Sequence, residues 1–512
     1  MRPPGRGRGP NAVGLATGVD RADQPSQRSY RLGTALFVRG LGLVYLIAFV
    51  SLWVQVEGLI GERGVLPITE LLARAGELLG AERYWRLPTL LWLGSGDAAL
   101  HLLCAAGVAA SVALLLGWLP LPTLGVLWVL WLSLVTAGQT FLAFQWDNLV
   151  LESGLLALLV APATVRLRLD DPPEPPAWGR WLLWWLVVRL QVSSGWVKLA
   201  SGDAAWRSLT ALEVHYETQP LPTWIGWMAH QLPAWWQRLS TVAMFAVELL
   251  VPWLVLTTAR LRRVAALAMM ALQLLIALTG NYTYFNLLTV LLCLPLLDDD
   301  SWPAPVHASV PATAPWPSGA WRRGTLPLAT GLFTLSLLQV VATTGVWRSL
   351  PRPALAPLEW VRPLRSVNGY GLFAVMTTER PEIVIEGSLD GEEWRPYPFR
   401  WKPGPLDRRP RFAAPHQPRL DWQMWFAALS DYRSTPWLGR LLERLLDAEP
   451  AVLDLLAADP FDGARPRLVR ARLYRYRFTD WRTLRDEGRW WRRELLGPYS
   501  PVLSRRRQPG DG

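Results

Sequence analysis

Long, nearly uninterrupted apolar blocks recur through the first two thirds of this chain, and they restrict its fold more than any other feature. A helix rising 1.5 Å per residue needs roughly 20 apolar residues to cross about 30 Å of hydrocarbon. Ala35 to Val54, Ala98 to Leu119, Leu121 to Ala137, Trp181 to Ala200, Leu239 to Thr257 and Leu326 to Val346 satisfy that length. Three shorter blocks, Asn148 to Pro162, Val264 to Leu278 and Tyr284 to Leu297, fit tilted, re-entrant or bundle-buried segments. The expected fold is therefore an α-helical polytopic membrane domain over residues 32–347, with about nine crossings and the lipid bilayer as its solvent. Residues 1–31, rich in Gly, Pro and Arg and without an apolar run, are expected to form a disordered tail.

Past Val346 the periodicity changes. Glu382-Ile-Val-Ile-Glu-Gly-Ser-Leu-Asp-Gly391 is a β-branched strand running into Asp390-Gly391, a hairpin signal, before Trp394 and Tyr397. From Val469 to Phe478 apolar residues alternate with Arg or Tyr, and the phase slips at Leu473 and Tyr474 as a bulge would make it. Helical stretches near Asp421 to Leu429 and Leu438 to Leu456 lie between. Residues 364–500 are expected to form a soluble, mostly antiparallel β (α+β) domain with two or three helical insertions. Lys402-Pro-Gly404 reads as loop punctuation, and residues 501–512 as a second disordered tail.

The net charge of +11 raises the question of nucleic acid, but the arginines lie beside membrane blocks and in the C-terminal domain, without a nucleic-acid-binding motif, so no such partner is expected. The two cysteines, Cys104 and Cys293, both fall in apolar blocks, which excludes a disulfide framework in the soluble domain and a CxxC exchange mechanism. The five histidines have no metal-ligand spacing, and neither a metal nor a cofactor is expected. Lys and Arg accumulate on the cytosolic side of short loops. With nine crossings, the tail, the Arg260, Arg262 and Arg263 cluster and the Arg322, Arg323 pair all fall inside. The loop from Gln55 to Asp97 and the C-terminal domain then lie outside.

Ionisable residues within membrane segments are costly, so each is a candidate functional position. Asp147 sits at a membrane boundary and Glu152 about one turn further in. They form either an internal polar site, or a helix cap (Asp147 or Asn148) and an ion pair (Glu152 with an Arg of a neighbouring helix). Gln191, Ser194 and Lys198 recur at spacings of three and four and share one helix face. The polar run continues with Asp203, Arg207, His215, Glu217 and, further on, Asn281. Lys198 stands out because the 52 basic residues include one other lysine, Lys402. A desolvated lysine can lose its proton and act as a base. The alternative is a lysine that snorkels to the interface or pairs with Asp203. Asn281-Tyr-Thr283 matches a glycosylation sequon, or else caps a helix. No catalytic constellation is firm. The candidates are Lys198, Asp147, Glu152 and His215, within a polar cluster completed by Gln191, Ser194, Asp203, Arg207, Glu217 and Asn281.

Five blocks carry a resemblance. Phe144-Gln-Trp-Asp-Asn-Leu-Val-Leu-Glu-Ser-Gly154, His215-Tyr-Glu-Thr-Gln-Pro-Leu-Pro222, Thr279-Gly-Asn-Tyr-Thr-Tyr-Phe-Asn286, Asn368-Gly-Tyr-Gly-Leu-Phe-Ala-Val-Met-Thr377 and Pro418-Arg-Leu-Asp-Trp-Gln-Met-Trp-Phe426 resemble, in this order, the signature blocks of lipase maturation factors. The resemblance implies a membrane protein that assists folding and assembly of secreted lipases. In vertebrates such proteins reside in the endoplasmic reticulum membrane, with the C-terminal domain in the lumen. The Arg-rich composition looks like that of a high-GC bacterium, where the corresponding site is the plasma membrane. Gly195-Trp-Val-Lys-Leu199, followed by Asp203 and Trp206, is more weakly similar to the segment of vitamin K-dependent γ-glutamyl carboxylases that bears their essential lysine, and Lys198 falls on it. The leading reading is thus a non-catalytic, membrane-anchored maturation factor with secreted, lipase-like clients, to which Trp394, Trp401 or Trp425 could offer apolar surface. The rival is a quinone-linked, carboxylase-like intramembrane enzyme with Lys198 as base. A transporter ranks third, because no inverted repeat is visible.

Overall fold

A computed structural model describes residues 28–303, 319–343 and 352–505. All nine apolar blocks contain helix: α1 (Arg31–Trp53), α2 (Asp97–Leu115), α3 (Pro120–Ala137), α4 (Gln145–Ala157), α5 (Ala177–Ala200), α7 (Ala234–Phe245), α8 (Ala259–Thr279), α9 (Phe285–Cys293) and α10 (Gly319–Thr343), with the short α6 (Ala211–Thr218) between α5 and α7. Among the described residues, six helices are long and apolar enough to cross a membrane: α1, α2, α3, α7 with its continuation to Leu256, α8, and Gly324–Thr343 of α10. α4 and α9 are shorter. α5 has 24 residues but carries Arg180, Arg189, Gln191 and Lys198, which lower its hydropathy. Cys104 and Cys293 are both buried in bundle helices.

Two ends of the bundle differ. At one, Asp298 takes Arg28 at 2.8 Å and Arg263 at 3.3 Å, while Asp299 accepts the Leu32 backbone N–H at 3.1 Å, satisfying a donor that the first turn of α1 leaves without a helical partner. Arg28 to Arg31 are therefore held in place, which corrects the expected tail at its last four residues; residues 1–27 lie outside the described residues. At the opposite end of α1, Ser51 and Gln55 meet the C-terminal region.

That region carries a five-stranded antiparallel sheet in the order β2-β1-β3-β4, with β5 also paired to β3. The strands are β1 (Arg380–Ser388), β2 (Arg395–Pro396), β3 (Leu468–Phe478), β4 (Trp491–Pro498) and β5 (Leu503–Ser504), with α11 (Arg419–Ala428) and α12 (Pro436–Leu446) inserted between β2 and β3. The expected hairpin forms, since Glu386 pairs with Pro396 and Gly387 with Arg395. The phase slip is also present. Leu473 pairs with Gly497 and Tyr474 with Leu495, so the extra residue, Leu496, lies on β4, while β3 stays in register with β1. The tail boundary at 500 is corrected, because Leu503 pairs with Val469; residues 506–512 lie outside the described residues. Lys402 is likewise more than turn punctuation: it is buried and binds Glu382 at 2.8 Å. One continuous apolar core runs from the membrane helices into this domain, joining Phe49 and Trp131 to Trp422, Leu438 and Ile383.

Candidate functional site

Both carboxylates of α4 are buried, and each is bound by the C-terminal region. Asp147, in the first turn, receives two parallel bonds from Arg419 of α11, Nη1 to Oδ2 and Nη2 to Oδ1, each 2.9 Å. The Tyr284 hydroxyl donates to Oδ1 at 2.7 Å, and both ion partners are 0% exposed. Such a forked, fully desolvated pair is favourable because both carboxylate oxygens have donors. Arg419 donates also to the Phe141 carbonyl at 2.8 Å. The cap role expected for Asp147 is thus replaced by a bond across the chain. Glu152 does pair with an arginine of a neighbouring helix, Arg189 of α5. Its second oxygen accepts from the Tyr370 hydroxyl at 2.6 Å, the Asn368 amide at 3.0 Å and the Asn368 backbone at 3.1 Å.

Further contacts extend this seam. Gln145 clamps the Gly371 peptide from both sides, at 2.9 and 3.2 Å. Gly371 has φ +148, and a Cβ there would lie 2.4 Å from Val197 of α5, so only glycine lets the backbone pass so close to that helix. Asn281 donates to the Leu221 and Arg411 carbonyls and accepts from the Ala413 and Ala414 N–H groups. With its side chain so used and 2% exposed, it neither caps a helix nor presents a sequon. Glu217 accepts from the Phe478 N–H at 2.5 Å, with burial raising its pKa above the usual carboxylate range. Arg380 of β1 donates to the Glu217 and Pro220 carbonyls at 2.7 and 2.9 Å. The five blocks quoted from the sequence therefore meet at one junction between bundle and sheet.

Lys198 lies elsewhere, on the wall of a cavity of about 370 Å³ enclosed by α5, α6, α7 and α8. Its ammonium is held by both oxygens of Glu248, at 2.7 and 2.6 Å, and not by Asp203. Two local features create the pair. Gly195 leaves room for Leu249, since a Cβ there would be 2.7 Å from its Cδ2, so the two helices approach one turn before Lys198. A π-helical turn over Ala246–Leu250, just before Pro252, then carries Glu248 to the lysine. Gln191, Ser194, His215 and Tyr282 line the same cavity, together with Trp206, Trp236 and Phe373. Asp203 instead caps the turn at Trp206 and accepts the Met376 N–H at 3.1 Å, and Arg207 is exposed. The structure thus splits the expected cluster: Asp147, Glu152, Glu217 and Asn281 belong to the seam, while Gln191, Ser194, Lys198 and His215 belong to the cavity.

Glu248 and Arg189 were missed, although both are charges inside apolar blocks and the rule that marked Lys198 marks them too. Arg419 gave no such signal, because it lies outside those blocks. Of the tryptophans considered for contact surface, Trp425 is buried and donates to the Thr218 carbonyl, while Trp394 and Trp401 are half-buried.

Comparison with known proteins adds the family. Residues 32–304 match the profile described as the lipase maturation factor transmembrane domain, and residues 366–501 that of the lipase maturation factor C-terminal domain. Lipase maturation factor 2 of Homo sapiens is 36% identical, over 93% of this chain and 83% of its own length. Lipase maturation factor 1 of Bos taurus is 33% identical, over 98% of this chain and 93% of its own. No solved structure matches. With both family domains present in sequence order and relatives of at least 33% identity matching most of both chains, this protein belongs to the lipase maturation factor family.

Proposed function

We propose that this chain is a membrane-anchored factor for the maturation of secreted proteins, lipases among them, and that residues 364–500 act on the non-cytosolic side. Its relatives carry lipase maturation in their names, and they align with the membrane and C-terminal portions together. The observation that carries the reading is the seam. The C-terminal domain is docked on the end of the bundle opposite the Arg28, Arg263 and Asp298 cluster, through Asp147–Arg419 and Glu152–Asn368, and so presents a fixed face next to the membrane. Basic residues favour the cytosolic side, so the basic end of the bundle is the inner one and the sheet faces outward. Clients of the lipase type then meet the exposed side of the sheet and its helices, where Trp481, Leu495, Leu496 and Val502 are open. The enzyme reading gains nothing from Lys198, whose ammonium is bound by both oxygens of Glu248.

Two measurements test this. Photocrosslinking amino acids at Trp481 and Leu496 of the full chain, in cells that secrete lipase, are expected to capture secreted hydrolases, and deletion of the gene to lower secreted lipase activity. Unchanged activity together with no captured hydrolase would overturn the reading. A cysteine at Leu495, labelled from outside by a membrane-impermeant maleimide, checks the sidedness, and labelling only after permeabilisation would reverse it. Truncation after Leu364 is a poor test, because it would strip Asp147 and Glu152 of partners in the bundle.

A further inference from the structure

Two exposed apolar stretches come together on one flank of the bundle. Trp85, in the connection between α1 and α2, stacks on Trp360, in the approach to β1, with ring centroids 4.9 Å apart, and its indole N–H donates to the Trp360 carbonyl at 3.2 Å. Trp360 is 66% exposed, and Leu93, further along the same connection, 89%. Neighbouring contacts give their depth. α3 has 18 residues, about 27 Å of helix against about 30 Å of hydrocarbon, so little of it stands outside the bilayer. Its sheet-side end is Ala137, close to Thr140 and Phe141, whose carbonyls accept from Gln423 and Arg419. The Leu90 N–H donates to Ser133 Oγ at 3.1 Å, about one turn below that end. The Trp128 indole donates to Ser366 Oγ at 3.1 Å, from a position on α3 about 13 Å below it.

From Arg365 to Met376 the chain forms neither helix nor strand. Irregular backbone at membrane depth survives only where protein groups take the place of water. Here they do. The Asn368 N–H donates to Glu152 at 3.1 Å and its carbonyl accepts from Arg189 at 3.0 Å. Gln145 binds both the N–H and the carbonyl of Gly371, and the Phe373 carbonyl accepts from the Trp206 indole at 2.9 Å. The Met376 N–H reaches Asp203, just past the end of α5, where the segment leaves the bundle. We propose that residues 358–371 are a re-entrant segment dipping into the leaflet on the sheet's side, and that Trp360, with Trp85, Leu90 and Leu93 of the facing connection, is its lipid-contacting edge. The partner is the bilayer itself, at the glycerol level and the upper acyl chains, where aromatic side chains gather and exposed leucines meet hydrocarbon. Glu152 and Arg189 then serve as anchors for backbone that water cannot reach, and the water-facing part of the C-terminal domain begins after the segment. The assignment holds whichever face of the membrane carries the sheet, and whatever the clients.

The test uses the full chain in phosphatidylcholine nanodiscs, which leave both faces open to reagents. Leu93→Cys and Trp360→Cys are compared with Leu389→Cys, at a 50% exposed position of the hairpin beside Asp390. The native Cys104 and Cys293 are buried. All three substitutions lie at exposed positions, and unchanged melting curves confirm the fold. A charged maleimide is expected to label Leu93→Cys and Trp360→Cys about tenfold more slowly than Leu389→Cys, because a thiol in apolar surroundings keeps its proton. Nitroxides attached at Leu93 and Trp360 are expected to collide more with oxygen than with a water-soluble nickel chelate, at a depth below the lipid phosphate, with the reverse preference at Leu389. Equal maleimide rates, or a nitroxide depth above the phosphate, overturn the proposal. Weak collision with both oxygen and nickel also overturns it, since protein and not lipid then covers the patch. Lipase secretion is not read in this experiment, so failure here leaves the maturation reading standing.

Discussion

The seam and the cavity use the same kinds of residue to opposite ends. In the seam, Asp147 and Glu152 have every oxygen met, by Arg419, Tyr284, Arg189, Asn368 and Tyr370. In the cavity, the Lys198–Glu248 pair is equally tight, but it borders an open space of about 370 Å³ lined mostly by apolar side chains. A polar network packed between two elements fixes one arrangement of the parts, whereas a pair beside an apolar cavity leaves one side free of packing. A buried charge in a membrane protein is thus read by counting its partners, because burial alone does not separate a structural pair from a site.

The comparison is broken most severely at Arg419. Arg419→Met strands the Asp147 carboxylate and is expected to destabilise the protein by about 3–5 kcal/mol, seen as loss of monodisperse protein in detergent; adding Asp147→Leu should recover part of it. A wild-type melting temperature in the single variant would show that the seam is not structural. Acid acts on the same junction through His416, which shares a hydrogen bond with Ser51 of α1 at 2.9 Å and whose pKa is pushed down to about 4, first by burial and then by Arg419 and Arg400. A group depressed in the folded state stabilises fully above its unfolded value of about 6.5, and that contribution drains away as pH falls through about 4. Between these limits the junction should lose roughly 2–3 kcal/mol, and His416→Gln should flatten that part of the stability profile.

Lys198→Met sharpens the contrast. It leaves Glu248 facing a cavity into which water can enter, so the expected cost is about 1–3 kcal/mol, less than at the seam. A loss as large as that of Arg419→Met would erase the distinction between the two regions. The smallest change is expected on the sheet surface, where the Arg470 guanidinium lies 3.7 Å above the Trp394 ring and binds Glu386 at 2.9 Å. Arg470→Ala should cost about 0.5–1 kcal/mol, a reference for a half-exposed contact.

Much of the fold was legible because its signals are local. Every apolar block became helix, Asp390-Gly391 turned a hairpin, and the slip at Leu473 and Tyr474 marked a real register shift, although the extra residue sits on β4. The site was only half legible. Helical spacing put Gln191, Ser194 and Lys198 on one face, and the cavity lies there. Their opposite numbers could not be read, because Glu248 is 50 residues from Lys198 and Arg419 is 272 from Asp147. Asp203 was the nearer choice for Lys198 along the chain, but it is spent on the backbone N–H groups of Trp206 and Met376.

The sequence by itself determined that this protein lives in lipid, that a β-rich domain follows, and which polar residues had to be accounted for, since hydrocarbon thickness, strand alternation and the cost of a buried charge act on residues near one another in the chain. Only the tertiary structure decided which charges neutralise which, that the C-terminal domain closes over α4, and that a cavity opens beside the Lys198–Glu248 pair. Those outcomes depend on helix approach, such as the contact Gly195 allows, and on partners hundreds of residues apart, where the pairing is set by three-dimensional packing.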